Sequence, residues 1–487
     1  MRLSLIVSAL CLSAFALPDI QDLYSRQDGS NSLLIDPPGH PPLPSAQAAE
    51  ISAAHVGLDL NNIQGDILVG MKKNKELFHF FKINDKTTFK SSLTNIHPLI
   101  TTTTQILSAQ SALNIAFSQS GLSFLGITDD LKDDAFKLGQ FADAENLSDP
   151  GTGNWVNAFK GTNIHGVFLL AADTDERLFA LLSQVKQLLG TSASEVYSLK
   201  GAARPGDQQG HEHFGYLDGV SQPAVEGFTR EPLPGQTLTD PGIFLLGETG
   251  DRLSLARPAW AKDGSFLAFR QLKQLVPEFN DFVRQNALNV SGLTVQENTD
   301  LFGARMMGRW KSGAPIDLAP LRDDKALGAD PKRNNDFTFE HPGADIKTNQ
   351  TNCPFSAHIR KTRPRADLSP VNTANQIIRA GIPYGPEVTE QENQQKKSSD
   401  STDLERGLAF VSYQSNIGNG FQFIQKTWAS NPNFLFGKKV PPGVDPIIGS
   451  TPDTHRPVSG LDPLDPGRII TIQKGARFNV LSSTTTQ

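Results

Sequence analysis

Strand, helix and strand follow one another in the first half of the chain and again in the second, and this repeated order restricts the fold more than any other feature. In the first half, Glu76-Leu-Phe-His-Phe-Phe-Lys-Ile83 alternates as a half-buried strand does, with Phe78 and Phe80 on one face. A helical segment is expected over 104–117, a core strand in Asn163-Ile-His-Gly-Val-Phe-Leu-Leu-Ala-Ala172 and an amphipathic helix over 173–188. After a Gly- and Pro-rich stretch at 227–241, the pattern resumes with apolar runs at 242–246 and 264–270. A helix over 277–285, a strand over 407–413 and a helix over 420–428 complete it. Two α+β modules with antiparallel sheets account for this order, although the halves show no clear self-similarity of sequence.

The 487 residues, 38% hydrophobic and 20% charged, fit a folded chain of one large domain or of two that share an interface and enclose a large ligand. A formal net charge of -6 without a basic block argues against nucleic acid as a partner. Arg2, the apolar run 3–17 and the small residues Ala14 and Ala16 have the order of a secretory signal too short to span a membrane. The expected organisation is a signal peptide at 1–16, a Pro-, Gly- and Ser-rich mobile leader or propeptide at 17–55, an N-terminal module at 56–226 and a C-terminal module at 227–487. The mature protein is expected to be secreted and soluble, with no membrane span. Cys11 falls inside the signal, so Cys353 is left without an intramolecular partner. Sequons at Asn146, Asn289 and Asn349 agree with export. The charged segments 323–340 and 391–402 read as solvent-facing loops.

Two polar segments carry the chemistry: Glu212-His-Phe-Gly-Tyr-Leu-Asp-Gly-Val-Ser-Gln-Pro223 and Cys353-Pro-Phe-Ser-Ala-His-Ile-Arg-Lys-Thr-Arg-Pro-Arg365. Uneven cleavage of a peroxide on a haem needs a group that takes the proton from the iron-bound oxygen and returns it to the departing one. Asp218, between glycines that permit a tight turn, is the candidate; the alternative is an ordinary capped turn. A carboxyl group with a reference pKa of about 3.9 accepts protons only above that pH, which predicts an acidic optimum. Arg379, isolated in the apolar stretch Asn375-Gln-Ile-Ile-Arg-Ala-Gly-Ile-Pro-Tyr-Gly385, would polarise the peroxide, or else pair with a buried acid to hold the fold. His358 is the candidate axial ligand of the iron, and its second ring nitrogen requires a carboxylate for which Asp445 is available. Arg309, Arg360 and Arg365 are candidate partners for the haem propionates, with Arg363 and His341 as weaker ones. His165, inside an apolar run, reads as structural. The Cys-x-x-Cys-His attachment signal is absent, so these residues alone leave haem binding open.

In the order of these motifs the chain resembles the dye-decolorising peroxidases, specifically their secreted fungal branch. Gly215-Tyr-Leu-Asp-Gly219 matches that family's Gly-x-x-Asp-Gly motif, with Arg379 in Ile378-Arg-Ala-Gly-Ile-Pro-Tyr-Gly385 and His358 in Ala357-His-Ile-Arg360 following in the family's order. The resemblance implies two ferredoxin-like modules with haem b between them, and hydrogen peroxide as oxidant. It also implies an oxyferryl intermediate that returns to rest through one-electron oxidation of dyes, phenols and lignin-related aromatics. It assigns Asp218 as distal acid, Arg379 as distal arginine, His358 as proximal ligand and Asp445 as the proximal carboxylate. It further implies Trp428 as an exposed radical-forming relay, Tyr384 as a second relay, Leu408 and Phe410 beside the haem-access channel, and a monomer or weak dimer. A chlorite-dismutase-like enzyme and a haem carrier without turnover are the alternatives, and neither explains Asp218 together with Arg379 as well.

Overall fold

The computed structural model describes residues 37–487 except 162, 369, 371, 451–454, 474–478 and 487; the expected signal and the leader up to residue 36 lie outside the described residues. Four strands build the first half: β1 (Lys75–Ile83), β2 (Ser111–Phe117), β3 (Gly166–Ala172) and β4 (Ala193–Ala202). Helix α1 (Lys86–Ile96) follows β1, and α2 (Asp175–Leu189) follows β3. Their starts are set locally: Asp85 accepts a hydrogen bond from Thr88 N and Thr174 one from Arg177 N, satisfying amides that have no partner within the helix.

The second half repeats this plan with β5 (Phe266–Gln274), α3 (Val276–Gln285), the short pieces β6 (Ile378–Arg379) and β7 (Ile382–Tyr384), β8 (Gly407–Gln414) and β9 (Asn479–Thr486). All the pairings among these strands are antiparallel, and they form one sheet in the order β9-β5-β8-β7-β4-β1-β3-β2, with β6 also on β8. Each half therefore has its fourth strand beside its first, then its third, then its second, which is the split βαβ arrangement of a ferredoxin-like module. The halves meet edge to edge at Gly201 and Tyr384. A side chain at Gly201 would stand 2.4 Å from Ile382 Cγ2, so the close approach needs glycine there.

Three sequence expectations change. β1 is buried on both faces: Phe78 and Phe80 meet Phe269 in the main core, and Leu77, Phe81 and Ile83 pack in a second core with Phe89 of α1 and Leu178 of α2. The helix expected over 104–117 is only Thr103–Ile106; Ser111–Phe117 is a strand because β3, buried at all seven positions, offers a free edge for it. The stretch to residue 55 is not a loose leader where it is described. Ala46–Val56 is a helix capped by Ser45, and its small residues Ala49 and Ala53 let it lie in the main core.

No helix among the described residues is long and apolar enough to cross a membrane. Cys353 is a free, buried thiol.

Candidate active site

The turn that carries Asp218 is organised by Glu212, whose carboxylate accepts from Phe214 N and Tyr216 N at 2.9 Å each and from Gln274 Nε2 at 2.5 Å. Gly215 (φ 93°) and Gly219 (φ 80°) take the left-handed conformations that such a turn requires. Asp218 Oδ1 accepts from Gly219 N at 2.7 Å and from Arg379 Nη1 at 2.5 Å. Arg379 sits on β6, opposite Ser412 of β8, and its Nη2 donates to Ser221 O at 3.1 Å. Gln222 fixes the backbone beneath it, its Nε2 donating to Arg379 O at 2.6 Å and its Oε1 accepting from Arg379 N at 3.2 Å. Burial pushes the Asp218 pKa up, but the charge and hydrogen bond of Arg379, with the Gly219 amide, overcome it and hold the carboxyl below its ordinary value. Both side chains keep about a third of their surface open, 31% for Asp218 and 30% for Arg379. The pair is a charged, half-open site rather than a sealed ion pair.

His358 opens the short helix α4 (His358–Thr362). Its Nδ1 lies 2.7 Å from Asp445 Oδ2, which leaves Nε2 as the nitrogen available to a metal. Asp445 is fully buried, and its Oδ1 accepts from Ile447 N at 2.8 Å and Ile448 N at 3.0 Å. Lys361, one turn along α4, donates to Asn431 O at 2.8 Å, Gly443 O at 2.9 Å and Phe434 O, and so ties down the loop that delivers Asp445. Burial drives the Lys361 pKa down to about 7 against the opposing pull of Asp445.

A third group is a set of arginines, Arg309 buried and Arg363 and Arg365 half-buried. Arg309 donates to Gly313 O and Asn334 O at 2.8 Å and to Asn335 Oδ1 at 2.6 Å. Arg365 donates to Phe337 O at 2.7 Å and Asn335 O at 2.9 Å, and Arg363 to Asn372 O at 2.6 Å and Thr237 Oγ1 at 3.0 Å. Among the described residues no carboxylate forms an ion pair with any of the three. Burial lowers Arg363 and Arg365 to about 10, and Arg309 to about 9 with Arg365 and Arg379 adding repulsion. Such a gathering of uncompensated cations is costly unless an anion joins it.

These groups suit haem. One imidazole offers a free nitrogen with its tautomer set by a carboxylate, and arginines await two propionates. No three His, Cys, Asp or Glu side chains among the described residues gather to hold a bare ion.

Residues 62–205 match the DyP dimeric alpha+beta barrel domain, and residues 248–434 match the Dyp-type peroxidase C-terminal domain. Peroxidase 2 of Mycetinis scorodonius is 59% identical over 474 residues, covering 94% of this chain and 92% of that protein. The chain belongs to the DyP-type peroxidases. The dye-decolorizing peroxidase AauDyP1 of Auricularia auricula-judae is 50% identical over 474 residues, 94% of this chain and 91% of its own. A crystal structure of a decolorizing peroxidase from the same fungus superimposes with a TM-score of 0.84 at 49% identity, covering 88% of this chain and 97% of that one. The family is haem-dependent, and the arginine cluster and free imidazole nitrogen of this chain agree with that.

In this DyP-type peroxidase the structure brings Asp218 to Arg379 and His358 to Asp445, and no hydrogen bond or ion pair among the described residues joins one pair to the other. Arg309 and Arg365 meet at Asn335, whose Nδ2 donates to Val220 O two residues from Asp218. Asn334 and Asn335 are buried, so the segment 323–340 is not wholly the solvent-facing loop its composition indicates. Arg360 does not belong with the propionate candidates: Asp367 takes its guanidinium at 2.7 and 2.8 Å, and Phe339 and Phe355 each lie 4.7 Å from it. Those contacts leave it no free face.

Trp428, expected at the surface, is 2% exposed, stacked on Phe434 at 5.2 Å and edge-on to Phe423. The helix predicted at 420–428 ends in a π-helical turn, Ile424–Ala429, that turns the indole inward. Tyr384 is also buried, its hydroxyl donating to Glu405 Oε1 at 2.9 Å. Leu408 and Phe410 are the two half-buried positions of β8, alternate residues on one face, and Phe410 packs against Phe421. His341 Nε2 is committed to Asp317 at 3.0 Å, and His165 Nδ1 accepts from Ile83 N at 3.1 Å in a purely structural role. Glu212, Gln222, Asn335 and Lys361 were not assigned from sequence. Only Glu212, at the head of the Asp218 segment, carried a local signal.

Proposed function

We propose that the chain binds haem b through His358 and uses Asp218 with Arg379 to cleave hydrogen peroxide, taking single electrons from dyes, phenols and lignin-related aromatics outside the cell. The 2.5 Å contact between Arg379 Nη1 and Asp218 Oδ1, at a pair that keeps about a third of its surface unburied, carries this reading. When bound, haem supplies an iron centre for the peroxide and a ring that stores oxidising equivalents. His358 Nε2 would hold the iron, and Asp445 would keep that imidazole neutral, oriented and electron-rich. Arg309, Arg363 and Arg365 would meet the propionates.

Asp218, its pKa held below the ordinary value by Arg379, would take the proton of one peroxide oxygen and return it to the other, which would leave as water. Arg379 stabilises the negative charge that grows on that departing oxygen. A haem carrier would need neither group. Leu408 and Phe410 would admit small aromatic donors beside β8. A bulky dye cannot touch Trp428, so that residue serves at most inside the protein.

Export agrees with the exposure of Asn146 and Asn289, the asparagines of two sequons. The test of the whole reading is the absorption spectrum of the haem-loaded protein before and after one equivalent of peroxide, in wild type and Asp218→Asn. A Soret band that peroxide shifts rapidly in wild type and slowly in the variant is the expected result. Equal rates in the two would favour the carrier.

A further inference from the structure

One wall of the cleft above Asp218 comes from outside the two repeats. Residues 37–44, Pro-Pro-Gly-His-Pro-Pro-Leu-Pro, run along it, and Pro37 and His40 line one cavity with Asp218, Gly219, Gln222 and Arg379. Pro41, Pro42, Leu43 and Pro44 then line a second cavity that shares Gly219, Gln222 and Arg379. The fit is close. A Cβ on Gly210 would stand 2.3 Å from Pro37 Cγ, and one on Gly219, the neighbour of the distal acid, 2.9 Å from His40 Cε1. A Cβ on Gly39 of the segment itself would stand 2.3 Å from Gly328 O. Asn334 Nδ2 donates to Gly39 O at 2.8 Å, and His40 N to Pro37 O at 3.2 Å closes a turn over the site.

The sequence of the segment suits a removable occupant. Proline-rich chain is already extended and stiff, so laying it in a cleft costs little conformational entropy. The helix Ala46–Val56 tethers the segment to the core, and its far end, residues 54–57, is exposed where an endoprotease can reach.

We propose that the cleft over Asp218 is a binding site for this proline-rich segment of the chain, which blocks the peroxide-cleaving side until an endoprotease hydrolyses a peptide bond within 54–57. The proposal rests on the peroxidase reading of Asp218 and Arg379.

The test uses the full, haem-loaded chain with 54–57 replaced by the recognition sequence of a specific protease. The rate at which cyanide binds the haem, followed by the Soret band, is read before cutting and again once gel filtration has removed the fragment. If the segment is lifted in fewer than about one molecule in ten, removal speeds cyanide binding at least about tenfold, and a synthetic peptide of residues 37–45 slows it again. Gly39→Val in the uncut chain, which would collide with Gly328 O, should give the faster rate without any cut. Equal rates in the cut, uncut and Gly39→Val proteins would overturn the proposal. A protein that takes up no haem would instead defeat the peroxidase reading. Binding of the fluorescently labelled peptide to the cut protein then decides for the segment, and its absence decides against.

Discussion

Asp218 and Arg379, 161 residues apart in the chain, meet at 2.5 Å between Oδ1 and Nη1. Each changes what the other can do. The guanidinium holds the carboxyl pKa below its ordinary value in a site where burial alone would raise it, and the carboxylate fixes the guanidinium beside it.

Asp218→Asn removes the proton acceptor without removing bulk. Haem content should stay at the wild-type level while the stopped-flow rate with peroxide falls about 10²–10⁴-fold, the usual worth of a positioned acid–base group. A rate within a factor of about two of wild type would take Asp218 out of the chemistry.

The pH profile gives a second reading of the same pair. Because the Asp218 pKa is lowered, the wild-type rate with peroxide should stay level into acid and fall only as pH drops below the ordinary carboxyl range. In Arg379→Leu the effect of burial is no longer opposed, the pKa rises, and the fall must begin at higher pH. A fall that stays put or moves further into acid would show that Arg379 does not set the charge on Asp218.

On the other side of the site, Asp445→Asn replaces the anion behind His358 with a neutral acceptor. The protein should still take up haem, but with a reduction potential higher by at least about 60 mV, one decade in a one-electron equilibrium. Spectroelectrochemistry measures it. His358→Ala, by contrast, should fail to retain haem through gel filtration.

Acid stability should be sensitive to Glu392, buried against Arg406 with oxygens at 2.8 and 2.9 Å from the guanidinium. Burial raises its pKa, yet Arg406 and the amides of Thr389 and Ser399 pull it down to about 2, below its unfolded value. Its contribution is therefore complete above the unfolded pKa and is lost as pH falls through about 2. Glu392→Gln should cost about 3–5 kcal/mol in urea melts at neutral pH, as breaking a buried pair does, and the gap to wild type should close as pH approaches the folded value.

Much of this site was legible because its chemistry is local. Asp218 lies between two glycines, Arg379 stands alone among apolar residues and His358 sits in a run of cations, and each of those patterns survives in the chain as written. What could not be read depends on distant partners. Arg360 and Arg309 look alike in sequence; Asp367 and two phenylalanines neutralise the first, while only carbonyls and an amide meet the second. The residues around Trp428 fit core packing, and its expected exposure came only from the resemblance; Phe434 and Phe423 cover the indole. Ser111–Phe117 has no strong strand character, and the exposed edge of β3 decides its conformation. The small residues of Ala46–Val56 look like a flexible leader until a core close enough to accept them is seen.

The seam between the repeats has a mechanical consequence. Gly201 and Tyr384 join the two halves of the sheet. Arg379 lies just before that junction on one side, and Asp218 hangs from the loop that leaves β4 on the other. Sliding of one half along the other would pull guanidinium and carboxylate apart directly, so their separation works as a gauge of shear across the molecule. A substitution far from the cleft that loosens the seam would register first as lost peroxide cleavage, while the strands on either side were still fully paired.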